Sequence, residues 1–243
     1  MKTIILVLNF TLWCIMLHAQ QTFLLEGPND EPARVFDTFQ DALENLQSGD
    51  TFYLPGGVID VQSDQILIEV NDVNIIGAGY NPFSSAATGS TIISSSTEND
   101  NWNILRVTSE NVFITGIDIQ GTVSLAGVEN SIQRCKANGC SLNSCSSCEL
   151  KEMVTGEISG NSSSEQILVH ANYIDGNIVG FQGPNVAFTN NIIVGTTTSI
   201  GSGWGGVIRS DGCYFYRNII VGTWEAGFYN IIGSGLPAAH NNV

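Results

Sequence analysis

The chain has 243 residues, of which 43% are hydrophobic and 13% charged, and its formal net charge is −15. Only eight lysines and arginines are present, which argues against nucleic acid and anionic membrane surfaces as partners, because both are bound through clustered positive charge. Acidity of this kind keeps an exported protein soluble and requires no special cation-binding role.

The N-terminus has the features of a secretory signal peptide. Lys2 supplies a positive charge, residues 4–17 are almost wholly apolar, and Ala19 offers a small residue at a cleavage point. A membrane-spanning helix is the competing interpretation, but the run is short and no other stretch approaches the ~20 apolar residues that a span requires. We therefore predict a signal peptide over residues 1–19, a secreted or cell-surface location, and one domain over residues 20–243.

A short helix is predicted near the start of this domain, over residues 37–47. The segment 37–40 supplies an N-cap and a capping-box glutamine, Gln40, and apolar residues follow at the spacing of one helix face. Strands are expected downstream, near residues 66–70, 73–76, 91–93 and 104–107. A helix in front of a series of strands is suited to capping the end of their core.

Six segments between residues 111 and 222 repeat one pattern that ends in glycine. The glycines are Gly121, Gly139, Gly156, Gly176, Gly195 and Gly222. Apolar residues recur two and seven positions before the glycine; a single repeat cannot bury them, whereas copies stacked about 4.8 Å apart can. The period predicts an all-β fold, a right-handed parallel β-helix with coils of roughly 18–20 residues.

The third repeat fits the two apolar columns least well. Glu149 falls in the column seven positions before the glycine, and a one-residue slip would place Leu150 there instead. In the other column, two positions before the glycine, the expected residue is Val154.

Asparagines recur four positions before the glycine in the last three repeats, at Asn172, Asn191 and Asn218. Asparagine tolerates the backbone conformations of tight turns, and stacked side-chain amides can bond to their copies in the next coil. We predict an asparagine ladder at one corner of the solenoid; the alternative is three ordinary turn residues.

The run FDTFQDALENLQSGDTFYLPGG (36–57), followed by VNIIGAGYNP (73–82), resembles the opening of pectin-lyase-like right-handed parallel β-helix proteins. Repeats that end in NNIIVG (190–195) and RNIIVG (217–222) are similar to those of secreted bacterial β-helix repeat proteins. The resemblance implies a helix over the N-terminal end of the barrel. It implies no particular activity, because the superfamily includes lyases, hydrolases and adhesins, and the motifs of its polygalacturonase-like and pectate-lyase-like enzymes are missing from this sequence.

Four cysteines fall within fourteen residues, and one of the six in the chain lies in the signal peptide. In an exported protein this density predicts one or two disulfides among Cys135, Cys140, Cys145 and Cys148, with Cys213 left over. The spacing of Cys145 and Cys148 also occurs in zinc sites, but the even spacing of the first three cysteines is unlike a pair of CxxC motifs. We predict no metal site.

Positive side chains recur five positions before the glycine, at Arg134, Lys151 and Arg217. The first two are expected to lie in one column on consecutive coils, as a cationic strip with Lys136 nearby. Because polysaccharide lyases use a basic residue to remove a proton, Arg134, Lys136 and Lys151 are candidate catalytic residues. The alternative is that these are solvated side chains at an exposed corner.

Candidate ligand-binding residues are His170, Trp204, Tyr214, Tyr216 and Arg217. His170 alternates with a buried neighbour and is predicted to face outward, in line with Tyr216. The aromatic residues lie around the longest insertion and could form a sugar-stacking platform. The competing interpretations are an incidental histidine and aromatic side chains that fill a loop.

These observations favour a secreted or cell-surface repeat protein, most simply a monomer, that presents a rigid surface for binding carbohydrate or another surface. The alternative is a polysaccharide lyase or hydrolase acting on an acidic glycan, and calcium is expected only in that case. An ice-binding solenoid is a weaker option because the outward positions lack a regular threonine array. The last residues, up to Val243, look like the start of another repeat, from which we expect a truncated C-terminus.

Overall fold

The computed structural model describes residues 21–29, 31–62, 65–79, 89–96, 103–181, 185–196, 208–209 and 213–223. The predicted signal peptide, Trp204 and the residues after 223 lie outside these ranges. Within the described residues, no helix has the length and apolar character needed to cross a membrane.

The described chain forms a parallel β-solenoid of about seven turns. One long sheet, sheet A, contains β1 (Phe23–Glu26), β2 (Arg34–Phe36), β3 (Thr51–Tyr53), β6 (Asn74–Ile76), β9 (Phe113–Thr115), β12 (Ser131–Gln133), β15 (Glu149–Lys151), β17 (Leu168–His170), β20 (Ala187–Thr189) and β23 (Tyr214–Tyr216). Apart from β1, which pairs antiparallel with β2 and β3, neighbouring strands of sheet A are parallel.

The second long sheet, sheet B, provides the other wall of each turn. It contains β4 (Gly57–Asp60), β5 (Ile66–Ile68), β7 (Thr91–Ser94), β8 (Asn103–Val107), β10 (Ile117–Leu125), β13 (Lys136–Ser141), β16 (Val154–Ser159), β18 (Tyr173–Asp175), β19 (Ile178–Val179), β21 (Ile192–Thr196), β22 (Ile208–Arg209) and β24 (Ile219–Thr223). A short third sheet pairs β11 (Gly127–Val128) with β14 (Cys145–Ser146). The parallel solenoid predicted from the repeats is therefore confirmed.

The central residues of the sheet A strands stack into one buried column. The column comprises Phe52, Ile75, Ile114, Ile132, Leu150, Val169, Phe188 and Phe215. Leu150 pairs with Ile132 and Val169, so the one-residue slip in the third repeat is confirmed. Each large aliphatic or aromatic side chain buried in this way stabilises the fold by roughly 1.5–3 kcal/mol.

The equivalent column in sheet B corrects one expectation. Thr155, and not Val154, lies between Ala137 and Ile174 and is buried. The slip that brings Leu150 inward also moves this strand by one residue and turns Val154 outward, since alternate residues of a strand face opposite sides. The buried hydroxyl of Thr155 lies 3.4 Å from the Cys140 sulfur.

The corner between the two sheets is made by residues with positive φ. They are Gly116, Arg134, Glu152, Ala171, Asn190 and Arg217, with φ between 49° and 74°. This conformation costs a non-glycine residue roughly 1–2 kcal/mol. Bonds between coils offset the cost: the Arg134 N–H donates to the Lys151 carbonyl at 3.0 Å, and the Ala171 N–H to the Thr189 carbonyl at 3.1 Å.

The three predicted ladder asparagines are buried and stacked directly after this corner. Asn172 Nδ2 donates to Asn191 Oδ1, and Asn191 Nδ2 donates to Asn218 Oδ1, each at 3.0 Å. Each amide also donates to a backbone carbonyl of the preceding coil, as Asn191 Nδ2 does to Val169 O at 2.9 Å. The ladder ends at Met153, whose backbone N–H donates to Asn172 Oδ1.

The N-terminal end of the core is covered by a helix shorter than predicted. α1 (Phe39–Glu44) has Thr38 as its N-cap, and the capping partner is Asp41 rather than Gln40. Phe39 stacks on Phe52 with ring centroids 5.7 Å apart. The antiparallel hairpin of β1 and β2 beside the helix, which the sequence analysis did not anticipate, supplies Phe23 to the same cluster.

One disulfide is present among the described cysteines, between Cys145 and Cys148. Both residues are buried, and the bond crosslinks the short loop between them. Cys135, Cys140 and Cys213 are buried thiols. Burial raises the pKa of Cys135 to about 12 and that of Cys140 to about 11, which leaves both as poor nucleophiles.

We predict that Asn191→Ala lowers the free energy of unfolding by about 2–4 kcal/mol, because it leaves the buried amide of Asn172 and the carbonyl of Val169 without their partner. Chemical denaturation measures the effect. Asn138→Ala, at an exposed position of β13, is the control and should change stability by less than about 0.5 kcal/mol. Equal effects of the two substitutions would show that the ladder contributes nothing particular.

Candidate functional site

The outer face of sheet A carries two parallel columns of side chains, which we call the outer strip. One column contains Thr115, Gln133, Lys151, His170, Thr189 and Tyr216, and the other contains Phe113, Ser131, Glu149, Leu168, Ala187 and Tyr214. Their positions follow from alternation about the buried central residue of each strand. The outward position predicted for His170, in line with Tyr216, is confirmed.

The part of the outer strip on β12 and β15 is a network of polar and charged groups. Gln133 Nε2 donates to Glu149 Oε2 at 3.2 Å and to Ser131 Oγ at 3.2 Å. Lys151 pairs in register with Gln133. Gln133, Ser131 and Glu149 therefore bond to one another in this part of the outer strip.

The predicted column of Arg134 and Lys151 is wrong. The slip in the third repeat places Lys151 on the strand, whereas Arg134 lies at the corner and pairs with the corner residue Glu152, with 2.9 Å between Nε and Oε2. The hydrogen bond from Arg134 lowers the pKa of Glu152, and the same contact raises the pKa of Arg134. Both side chains are exposed, so the pair adds little stability.

Lys136 lies on the other sheet, away from the outer strip. Its Nζ is 3.3 Å from Asp118 Oδ2, and the two residues are neighbours in β13 and β10. Asp118 is buried, and no described residue donates a hydrogen bond to its other oxygen, Oδ1. The catalytic candidates Arg134, Lys136 and Lys151 are thus not brought together into one cationic group.

The part of the outer strip on β17, β20 and β23 has a different character. His170 Nδ1 is 2.8 Å from Thr189 Oγ1, and the guanidinium carbon of Arg217 lies 4.7 Å from the centroid of the Tyr216 ring. In the adjacent column, Leu168 is 37% exposed and Tyr214 48% exposed. A polar column therefore runs beside an apolar one across three consecutive coils.

The apolar members of this surface, Leu168 and Ala187, were missed by the sequence analysis. They stand two residues before His170 and Thr189, so they face the same side of sheet A. Reading outward positions in pairs around each buried residue would have found them. Of the predicted binding residues, His170, Tyr214, Tyr216 and Arg217 lie together here, and Trp204 lies outside the described residues.

The part of the chain that the structure describes holds no group of three or more His, Cys, Asp or Glu side chains placed to bind a metal ion. The chain matches no model of a known protein family, no curated protein and no solved structure.

We predict that Arg134→Gln raises the pKa of Glu152 toward that of an ordinary glutamate, because it removes the hydrogen bond that favours the ionised carboxylate. The ion pair makes its full, small contribution to stability above the ordinary glutamate pKa, and that contribution is lost as the pH falls through the lowered value. NMR titration of the Glu152 side-chain carboxyl measures the shift. Arg217→Gln is the matched control and should leave this titration unchanged. Equal titration curves for the unsubstituted protein and the two variants would refute the ion pair of Arg134 with Glu152.

Proposed function

We propose that the chain is a secreted or cell-surface repeat protein of the pectin-lyase-like β-helix superfamily that binds carbohydrate on a rigid surface. The binding surface is the part of the outer strip on β17, β20 and β23. The observation that carries the proposal is the adjacency of the two columns, His170, Thr189 and Tyr216 beside Leu168, Ala187 and Tyr214.

A sugar ring presents apolar C–H faces and polar hydroxyl edges, and this surface offers a partner for each. Tyr214 provides an exposed aromatic face for stacking. The ring of Tyr216 is already covered by Arg217, so Tyr216 contributes mainly its hydroxyl. His170 and Thr189 supply further donors and acceptors.

Under these side chains, β17 and β20 each pair with a strand on both sides, and β23 pairs with β20. A surface held in this way loses little conformational freedom when a ligand binds, which favours affinity. The strand pairing therefore supports a role in display and recognition.

A glycan array first identifies the glycans that bind the protein. We expect Tyr214→Ala to weaken binding to these glycans about tenfold, since it removes the exposed stacking ring. Tyr173→Ala is the matched control, because Tyr173 is 41% exposed on the outer face of sheet B. The affinities are measured with purified oligosaccharides from the array. Equal losses in the two variants, or no loss in either, would place the binding surface elsewhere.

The alternative proposal is a lyase or hydrolase acting on an acidic glycan, and a lyase requires a basic residue that can accept a proton. The ion pairs of Arg134 with Glu152 and of Lys136 with Asp118 weigh against these two residues as that base. Lys151 is then the principal candidate on the outer strip.

An assay with uronate-containing polysaccharides distinguishes the two functions. Under the binding function, neither absorbance from unsaturated products nor new reducing ends should appear. Product formation that is lost in Lys151→Gln but kept in Lys136→Gln would instead establish the enzyme and identify its base.

A further inference from the structure

A cavity of about 340 Å³ lies between α1 and residues 60–62 and 65–66, at the N-terminal end of the solenoid. This volume falls within the range of roughly 300–1,000 Å³ that is usual for small-molecule sites. The elements around the cavity contribute no residue to the part of the outer strip proposed to bind carbohydrate, so the two surfaces are independent.

α1 forms one wall of the cavity. The helix has six residues and buries only Ala42 completely. Phe39 and Leu43 from the helix, and Val61 from the first coil, pack against the core but remain partly exposed. Together with Ile66 they give the cavity an apolar floor that contains one aromatic ring.

The polar lining includes several hydrogen-bond acceptors. Gln40 donates its amide protons to Glu44 Oε1 at 2.9 Å, and Gln65 donates to Asn103 O at 2.8 Å. With these donors engaged, the amide oxygens of both glutamines are available as acceptors. Asp60 adds a carboxylate, which is exposed.

Asp60 is held in place and in its ionised form. Its Oδ1 accepts hydrogen bonds from the backbone N–H of Gln62 at 2.8 Å and of Ser96 at 3.0 Å. The hydrogen bond from Gln62 is the main cause that lowers the pKa of Asp60, followed by that from the Ser96 side chain. The described residues that line the cavity include no Lys, Arg or His, so the carboxylate has no cationic partner among them.

We propose that this cavity binds an alkylammonium group: a primary amine, as its cation, carried on a short apolar chain. The ammonium donates to the Asp60 carboxylate and to the amide oxygens of Gln40 and Gln65, and the carbon chain contacts Phe39 and Leu43. The net charge of −15 attracts cations to the surface in general, but the apolar floor beside a fixed carboxylate selects for this class. The group can come from a free amine or from a lysine side chain of a partner.

The test uses 1,5-diaminopentane as the free amine and N-acetyl-lysinamide as the lysine side chain, added to the full chain and followed by amide NMR. We expect shift changes at α1 and residues 60–62, with a dissociation constant on the order of 1 mM for at least one probe. Binding of the first probe alone identifies free amines as the source, binding of the second alone identifies lysine side chains, and binding of both shows that the cavity accepts either. 1,5-Pentanediol, which has the same carbon chain without charge, should not bind.

Two variants separate binding in the cavity from general attraction of cations. Asp60→Asn keeps an oxygen for the Gln62 and Ser96 N–H groups and should weaken binding about tenfold, as should Val61→Trp, which fills the cavity. Asp175→Asn removes an exposed carboxylate elsewhere and should have no effect. Equal loss in the Asp60 and Asp175 variants, equal binding of the diol, or no shifts with either amine would overturn the proposal.

Discussion

The structure depends on one constraint: equivalent residues of successive coils must lie directly over one another. A shift of one residue would exchange the buried and exposed faces of a strand, so length changes can be accommodated only between strands. The ladder shows this directly. Asn172 and Asn191 are 19 residues apart and Asn191 and Asn218 are 27 apart. Both pairs nevertheless form the same hydrogen bond between side-chain amides, with 3.0 Å between Nδ2 and Oδ1. The longer coil carries its extra residues between β21 and β23 and leaves both registers intact.

The two corners satisfy their buried positions in different ways. At the corner that follows sheet A, the inward residue is Cys135 or Met153 in the earlier coils and asparagine in the later ones. Only the asparagines can form hydrogen bonds both to the side-chain amide in the next coil and to a backbone carbonyl. Before sheet A, Cys148 occupies the inward position in the coil after Asn130, and its disulfide to Cys145 closes the turn. Such a short crosslinked loop is worth about 2 kcal/mol in the chain-entropy model. The ladder thus satisfies buried polar groups with hydrogen bonds at one corner, whereas the disulfide restrains the other corner covalently.

The sequence was sufficient to predict the solenoid and its ladder, because both recur at a fixed interval, and the slip at Leu150, because it interrupts that interval. The column of Arg134 and Lys151 was wrong because the slip that brings Leu150 inward was not carried through to Lys151, which it places opposite Gln133. The hairpin of β1 and β2 was also missed. It occurs once, has no repeat to reveal it, and is stabilised by contacts of Phe23 with Phe39 and Phe52 that only the folded chain brings together.

Function in such a fold has to be sought where the repeat imposes nothing. Inward positions are restricted by their neighbours above and below, but outward positions of sheet A vary from a self-satisfied polar network at Gln133 and Glu149 to an amphipathic surface at His170 and Tyr214. The N-terminal end of the solenoid is a second place where the repeat does not specify the residues. The end of the core there must be covered by something other than another coil. A six-residue helix covers it incompletely, and the space that remains is bounded by side chains that the repeat does not specify.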